Sequence, residues 1–376
     1  MAFISEQCLG FNGRYLKCAD ALQQAGMDVE TVVLAKGPTD KSSAITHIQR
    51  PNWGQTKIGT SLAYRALKNR ALNFIKRQNY DVYHAMDYVS LEVAAQAKAR
   101  FGGKIVFDAC EIFTETAFST PELKVYIQKL FDKCAQAIDV VLTPSTYLGD
   151  TYAKLCPQWP KAQIISNAPA HKLEHAYDGR MHRALGLEAS EKILLYHGAF
   201  SVRRGLRDLV DSAHALPSGY WLVLMGYGAL EIELKAAAQR VNRRANRQVV
   251  RFLDPVPNAE LLDWICGAHY GLIPYEDGPL NHTYCTPNKL YEYPAAGVPL
   301  ITTRLLALED VINTYEIGQI IAGPLTGKKI RLWLQTMNDD KRCKLVNNCK
   351  KMTSTTSWTK NADRLQGIYE GLFLKA

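Results

Sequence analysis

Residues 286–302, TPNKLYEYPAAGVPLIT, decide the fold. Thr286 has the side chain of a helix N-cap, and Pro287 carries a φ preset for a first helical turn. The pattern predicts a helix over Lys289–Ala296. Pro299–Thr302 is then a short strand-like run, and Gly271–Pro274 is another, just before the helix. Strand, helix, strand in this order argues for a βαβ unit and a parallel sheet.

The same rhythm extends in both directions. Lys192–His197, Trp221–Met225 and Val249–Leu253 are strand-like, with helix-like Leu206–Leu216, Leu230–Val241 and Ala259–Cys266 between them. In the first half the strand-like runs are Val29–Leu34, Asp81–Ala85, Lys104–Asp108, Ile138–Thr143 and Ala162–Ser166. Arg14–Ala25, Ser61–Arg77, Leu91–Arg100, Glu122–Ala135 and Tyr147–Leu155 read as helices. Val140-Val141-Leu142 is continuously apolar, as a strand buried on both faces should be. The expected fold is α/β, with two doubly wound Rossmann-like domains facing a cleft. The domains are expected at 1–170 and 187–352, separated by a polar, Pro/Gly-containing break. A Ser/Thr-rich connector at Thr353–Thr359 and a final helix, Asn361–Leu374, make up a tail at 353–376 expected to pack toward the first domain. Ligands of such sheets sit beyond the carboxyl ends of the strands.

Composition narrows the function. Of 376 residues, 47% are hydrophobic and 22% charged, which excludes a largely disordered chain. Lys and Arg number 45 against 36 Asp and Glu, a net charge of +9 that favours anionic partners. Nine cysteines without a CxxC pair fit reduced thiols and a cytoplasmic protein. The start of the chain lacks the basic leader and long apolar stretch of a signal peptide. No signature of a nucleic-acid-binding module accompanies the positive charge.

Candidate site residues gather at the strand ends. Asn288 and Glu292 share a helix face, and Lys289 lies three before Glu292. A helix start with a lysine suits a phosphate, and Glu292 could accept two hydroxyls of a ribose. An ordinary capped helix with a surface Lys–Glu pair fits the same residues. In Tyr196–Leu206, small residues follow a strand, and Arg203 and Arg204 are expected to open a helix. Cations there oppose the helix dipole, and a diphosphate would relieve the conflict. Gly226 and Gly228 follow another strand like an incomplete phosphate loop, although a tight turn explains them equally well.

In the first half, Gly10, Gly13 and Arg14 fall in the first strand-to-helix turn. His84 and Asp87 follow one strand, and Asp108, Cys110 and Glu111 the next. Each could be a cap or turn residue. Together they are expected to line the rim of the cleft. Two further patterns carry less. His171–His175 matches H-x-x-E-H but lacks the apolar helix a zinc site needs. The basic stretch Lys57–Arg77 includes Tyr64, Leu67, Leu72, Phe74 and Ile75, a pattern compatible with peripheral contact at an anionic membrane, although most such basic faces are merely solvated.

These pieces, in order, resemble the retaining glycosyltransferases of family 4, whose architecture is called GT-B. Tyr80–Asp87, YDVYHAMD, is similar to the family's "DvvHaHD". Lys104–Phe113, KIVFDACEIF, is similar to "klvyDsHElf". Arg14–Gly26 with Val29–Val33, Val140–Ser145, Ile164–Ala168, Leu195–Leu206, Leu222–Gly228 and Val249–Glu260 follow, and Pro287–Ile301 is the most specific piece.

The resemblance implies a nucleotide-diphospho-sugar donor on the second domain and a glycan or lipid-linked acceptor on the first. Arg204 and Lys289 would hold the diphosphate, Glu292 the ribose, and Gly13 and Arg14 the loop near phosphates and acceptor. Asp108 and Glu111 would stand on the acceptor side. Front-face attack would leave the anomeric configuration unchanged, with no enzymic nucleophile. The sequence has no Asp-x-Asp, so this reading requires no metal. The family position for a sugar-binding glutamate is Tyr284 here, and the histidine of "DsHE" is Cys110. The expected role is surface polysaccharide or lipopolysaccharide synthesis, on the inner face of the membrane. A nucleotide-sugar epimerase and a non-catalytic nucleotide-sugar or glycan binder are the alternatives.

Overall fold

In the computed structural model, residues 1–5, 13–34, 45–48, 57–116, 119–170 and 176–374 are described. They form two compact units. One comprises Met1–Ser166 with Thr359–Ala376, and the other Asn167–Trp358.

The first unit holds seven strands: β1 (Ala2–Ser5), β2 (Glu30–Val33), β3 (Ile45–His47), β4 (Val82–Ala85), β5 (Lys104–Asp108), β6 (Val140–Thr143) and β7 (Gln163–Ile164). Their order is β3-β2-β1-β4-β5-β6-β7. All neighbours are parallel. The second unit holds β8 (Lys192–His197), β9 (Tyr220–Met225), β10 (Val250–Leu253), β11 (Tyr270–Ile273), β12 (Leu300–Thr303) and β13 (Gly318–Ile321). Their order is β10-β9-β8-β11-β12-β13, again parallel throughout. This is the expected α/β architecture. Every residue of β1, β4, β11 and β12 is buried, as central parallel strands require. In the second sheet the strand order reverses between β8 and β11. In such sheets the carboxyl ends at this switch are the usual ligand position.

The structure departs from the sequence reading at several elements. β1, β3 and β13 were not expected from the pattern. Arg180–Leu185 is a short helix inside the expected break. Leu306–Tyr315, Gly327–Leu334 and Asp339–Thr355 are helices that the sequence reading did not assign. Because Asp339–Thr355 is helical, most of the expected connector at 353–359 closes one helix and opens the next, Trp358–Phe373.

That last helix belongs to the first unit. Asn361 receives a bond from the Ser166 amide (3.2 Å) and donates to the Ser166 hydroxyl (2.9 Å). Arg364 donates to Gln163 at 3.1 Å. Tyr369 is fully buried, and its hydroxyl meets His84 Nδ1 at 2.5 Å. Of the apolar residues on the basic stretch 57–77, Leu67, Leu72 and Ile75 lie in the core, so they are not a surface feature. Lys68 there pairs with Glu92 at 2.7 Å. No described helix is long and apolar enough to cross a membrane.

Candidate functional site

The second unit gathers its polar groups at the switch between β8 and β11. β8 ends in His197, and Gly198 turns the chain with φ +108°. A methyl group on Gly198 would stand 2.8 Å from Lys289 Nζ, so only glycine lets that lysine close in. The loop after Gly198 is stitched to the loop after β9. Gly198 donates to the Met225 carbonyl (2.9 Å) and Phe200 to the Tyr227 carbonyl (2.8 Å). A Cβ on Gly226 would lie 2.1 Å from the Gly198 carbonyl oxygen, and one on Gly228 2.5 Å from that of Phe200. Close backbone packing therefore accounts for both glycines. The helix that follows opens with Glu231 and Glu233, which already complement its dipole. The tight turn that explained Gly226 and Gly228 equally well is therefore present.

Arg203 and Arg204 stand before the helix Leu206–Asp211, not within it. Gly205 makes this placement, with φ +64° and a Cβ position 1.8 Å from the Pro274 carbonyl oxygen. That approach seats the half-buried Arg204 guanidinium over the Tyr275 ring, 4.1 Å from its centroid. Arg203 is exposed and turns away, its guanidinium lying over Gly278.

Lys289 reaches the same tyrosine. It opens the helix Lys289–Ala295 and is 8% exposed. Its Nζ lies 3.3 Å from the Tyr275 hydroxyl, 5.7 Å from that ring's centroid and 5.0 Å from that of Tyr196. Among the described residues no carboxylate comes within 4 Å of it. The two cations singled out in the sequence thus meet on one buried aromatic ring, each worth about 1–2 kcal/mol of cation–π attraction there.

Thr286 does not cap the helix. Asn288 takes that position without a side-chain bond, and Glu292 donates its amide to the Asn288 carbonyl at 2.9 Å. The Thr286 hydroxyl is instead buried without a partner. Tyr293 anchors this helix, bonding the Leu195 carbonyl at 2.6 Å and packing over Gly271, where a Cβ would meet its ring at 2.4 Å. The anchor places the Glu292 side chain, 12% exposed, with Oε2 3.5 Å from His197 Nε2. His197 is 6% exposed, and its Nε2 has no hydrogen-bond partner. Burial, then the charge of Lys289, holds this imidazole well below its ordinary pKa, so it is neutral. His282, 6.0 Å from the Tyr275 ring, is pushed down by burial and Arg204.

The first unit uses its candidates differently. Arg14 grips Asp108 with two bonds of 2.8 Å and gives a third to the Ile165 carbonyl. Arg14 is 4% exposed and Asp108 fully buried. Burial alone would raise the Asp108 carboxyl. The Arg14 charge and its hydrogen bonds, with His84 Nε2 3.6 Å away, outweigh it and hold the group well below the carboxylate range. His84 is buried between these partners, stacked on Phe3 at 4.1 Å. Arg14, His84 and Asp108 are therefore interior, not the open rim expected. Asp87 caps the helix Tyr88–Phe101, accepting from Ser90 at 2.7 Å in a capping box. Gly13 opens the helix Gly13–Gln24. Cys110 is half-buried, its thiol pushed well up by burial and by Asp108. Glu111 is exposed and its carbonyl accepts from Tyr152 at 2.6 Å. Tyr284, half-buried, closes the turn Leu280–Thr283. Gly10 and His171–His175 lie outside the described residues.

The second-unit cluster brings together groups that an anion with hydroxyls beside it would need. Two cations share one ring, and two buried polar atoms, Thr286 Oγ1 and His197 Nε2, await partners. Glu292 supplies an acceptor a turn away. The sequence pattern marks His197 only as a strand end and does not single out Tyr275. The residue directly after the Gly271–Pro274 strand was the one available signal. Among the described residues no three His, Cys, Asp or Glu side chains are grouped to hold a metal.

Comparison with known proteins bears on both units. Residues 14–168 match the family model described as Glycosyltransferase Family 4, and residues 191–326 match Glycosyl transferases group 1. No curated protein sequence matches. Among solved structures, sucrose-phosphate synthase from Thermosynechococcus elongatus is similar with a TM-score of 0.79 at 16% identity, over 100% of this chain and 99% of that one. Anabaena HepE, in complex with UDP, gives 0.75 at 11% identity, over 98% and 99%. WaaG, a glycosyltransferase involved in lipopolysaccharide biosynthesis, gives 0.72 at 18% identity, over 98% of each chain.

Proposed function

Because this chain is a glycosyltransferase of the GT-B type, we propose that its second unit takes a nucleotide-diphospho-sugar and that its sugar passes to an acceptor hydroxyl with retention. The observation that carries the reading is the meeting of Arg204 and Lys289 on Tyr275. As the bond from the anomeric carbon to the β-phosphate oxygen breaks, negative charge builds on the leaving diphosphate. Arg204 and Lys289 would stabilise it. The acceptor oxygen bonds the same carbon from the same face and hands its proton to the leaving phosphate, so no nucleophilic side chain and no metal enter. Glu292 would hold the ribose hydroxyls, with Asn288 beside it. HepE was solved with UDP and with UDP-glucose, which supports a nucleotide sugar as donor here. The WaaG likeness supports a glycan or lipid-linked acceptor in surface polysaccharide or lipopolysaccharide synthesis, taken by the first unit through Glu111 and Cys110. The eight described cysteines are free, in keeping with a cytoplasmic location.

The test is a panel of nucleotide sugars, screened by thermal shift and then by turnover with acceptors. Release of nucleoside diphosphate only with acceptor, and an unchanged anomeric configuration by NMR, is the expected result. A new nucleotide sugar made without acceptor would identify an epimerase instead. Tyr275→Phe keeps the ring under Arg204 but removes the hydroxyl from Lys289. It should weaken diphosphate binding about three- to tenfold, one hydrogen bond's worth. Tyr275→Leu removes the ring as well and should weaken it further, as calorimetry would show.

A further inference from the structure

His197 is 6% exposed, at the carboxyl end of β8, and its Nε2 has no hydrogen-bond partner among the described residues. Buried polar atoms without partners are rare, and one at a ligand crevice needs a reason. Glu292 Oε2 lies 3.5 Å away, longer than an ordinary hydrogen bond. The ring cannot drift freely. It meets Tyr293 edge-on at 4.9 Å, and Tyr293 is tied to β8 through the Leu195 carbonyl. Two rigid elements, β8 and the helix Lys289–Ala295, therefore hold a donor-capable nitrogen beside a carboxylate with a gap of a few tenths of an ångström. Burial and Lys289 disfavour a second cation here, and in the tautomer with its proton on Nε2 the ring would donate to the Glu292 carboxylate.

We propose that His197 is a positioning residue that aims the Glu292 carboxylate at the hydroxyls of a bound nucleoside, and thereby sets preference for ribose over deoxyribose. The proposal rests on the reading of Glu292 as the ribose acceptor. When a ribose draws Glu292 into place, the Nε2–H bond closes and fixes one carboxylate oxygen, leaving the other to accept from the sugar. The diphosphate would be held by Arg204 and Lys289, so His197 would act on nucleoside recognition.

The experiment measures affinities of the whole protein for UDP, GDP and ADP, for their 2′-deoxy counterparts and for inorganic pyrophosphate. Wild type should bind its preferred ribonucleoside diphosphate at least tenfold more tightly than the deoxy form, the worth of a hydroxyl bonded to a charged group. His197→Leu should reduce that ratio to less than threefold, with pyrophosphate affinity unchanged within twofold. His197→Gln, which returns an N–H donor, should restore most of the ratio and keeps the test valid should the leucine variant fold poorly. A ratio unchanged in both variants overturns the proposal. So does equal weakening of pyrophosphate and nucleotide, which would mark a general loss of structure. Wild type that binds these probes without preferring ribose also overturns it. Wild type that binds none of them refutes the donor-site reading itself.

Discussion

Lys289→Met should lower kcat/KM by about 10²–10³ while leaving the melting temperature unchanged or raised. The two effects have one physical cause. A buried ammonium is costly unless paired, and Lys289 has a tyrosine hydroxyl and two ring faces but no carboxylate within 4 Å among the described residues. Methionine fills similar space without a charge to desolvate. A lysine kept there for folding would show the reverse, with stability falling and activity following it. Thermal melts and initial rates on the same preparations separate the cases. A melting temperature lowered by many degrees with near-normal turnover would end the diphosphate assignment. Arg204→Ala should lose a similar share of turnover but change stability less, because its side chain is only half-buried.

Asp108→Asn should destabilise the first unit by about 3–5 kcal/mol, a large part of the 5–15 kcal/mol that typically holds a domain folded. Asparagine leaves the buried Arg14 guanidinium without a countercharge and turns an amide N–H₂ toward donors. The partners are 94 residues apart in sequence and join the helix Gly13–Gln24 to β5. Arg14→Met with Asp108→Leu should recover much of the loss, since no charge is then left inside. The pH dependence follows from the depressed carboxyl. Its folded value lies below its unfolded value of about 4, so its contribution is complete above that pH and drains away as pH falls toward the folded value. Melting curves from pH 3 to pH 8 should show this acid loss in wild type and a smaller one in Asp108→Asn. An Asn variant within 1 kcal/mol of wild type would contradict the account.

The parallel strands were legible because burial on both faces writes itself as unbroken apolar runs, as in Val140–Leu142. β1 was not, because four residues at the start of a chain give too little pattern, although Ala2, Phe3 and Ile4 are completely buried. The helices after Thr303 were missed for another reason. Asp339–Thr355 is strongly polar, with only Cys349 and Met352 buried, so its apolar stripe is thin. At the site, Arg204 and Lys289 could be picked out from local chemistry. That Tyr275 receives both could not, since it depends on how two loops fold over β11. The Arg14–Asp108 pair shows the opposite limit. Strand-end charges look like ligand groups until their partner, far away in the chain, is known.

The helix Trp358–Phe373 completes the first unit after the second has intervened. The ring that closes over His84 comes from Tyr369, 285 residues further along. As the nascent chain leaves the ribosome, the first sheet can assemble early, but His84 and its neighbours remain uncovered until the second sheet has been synthesised.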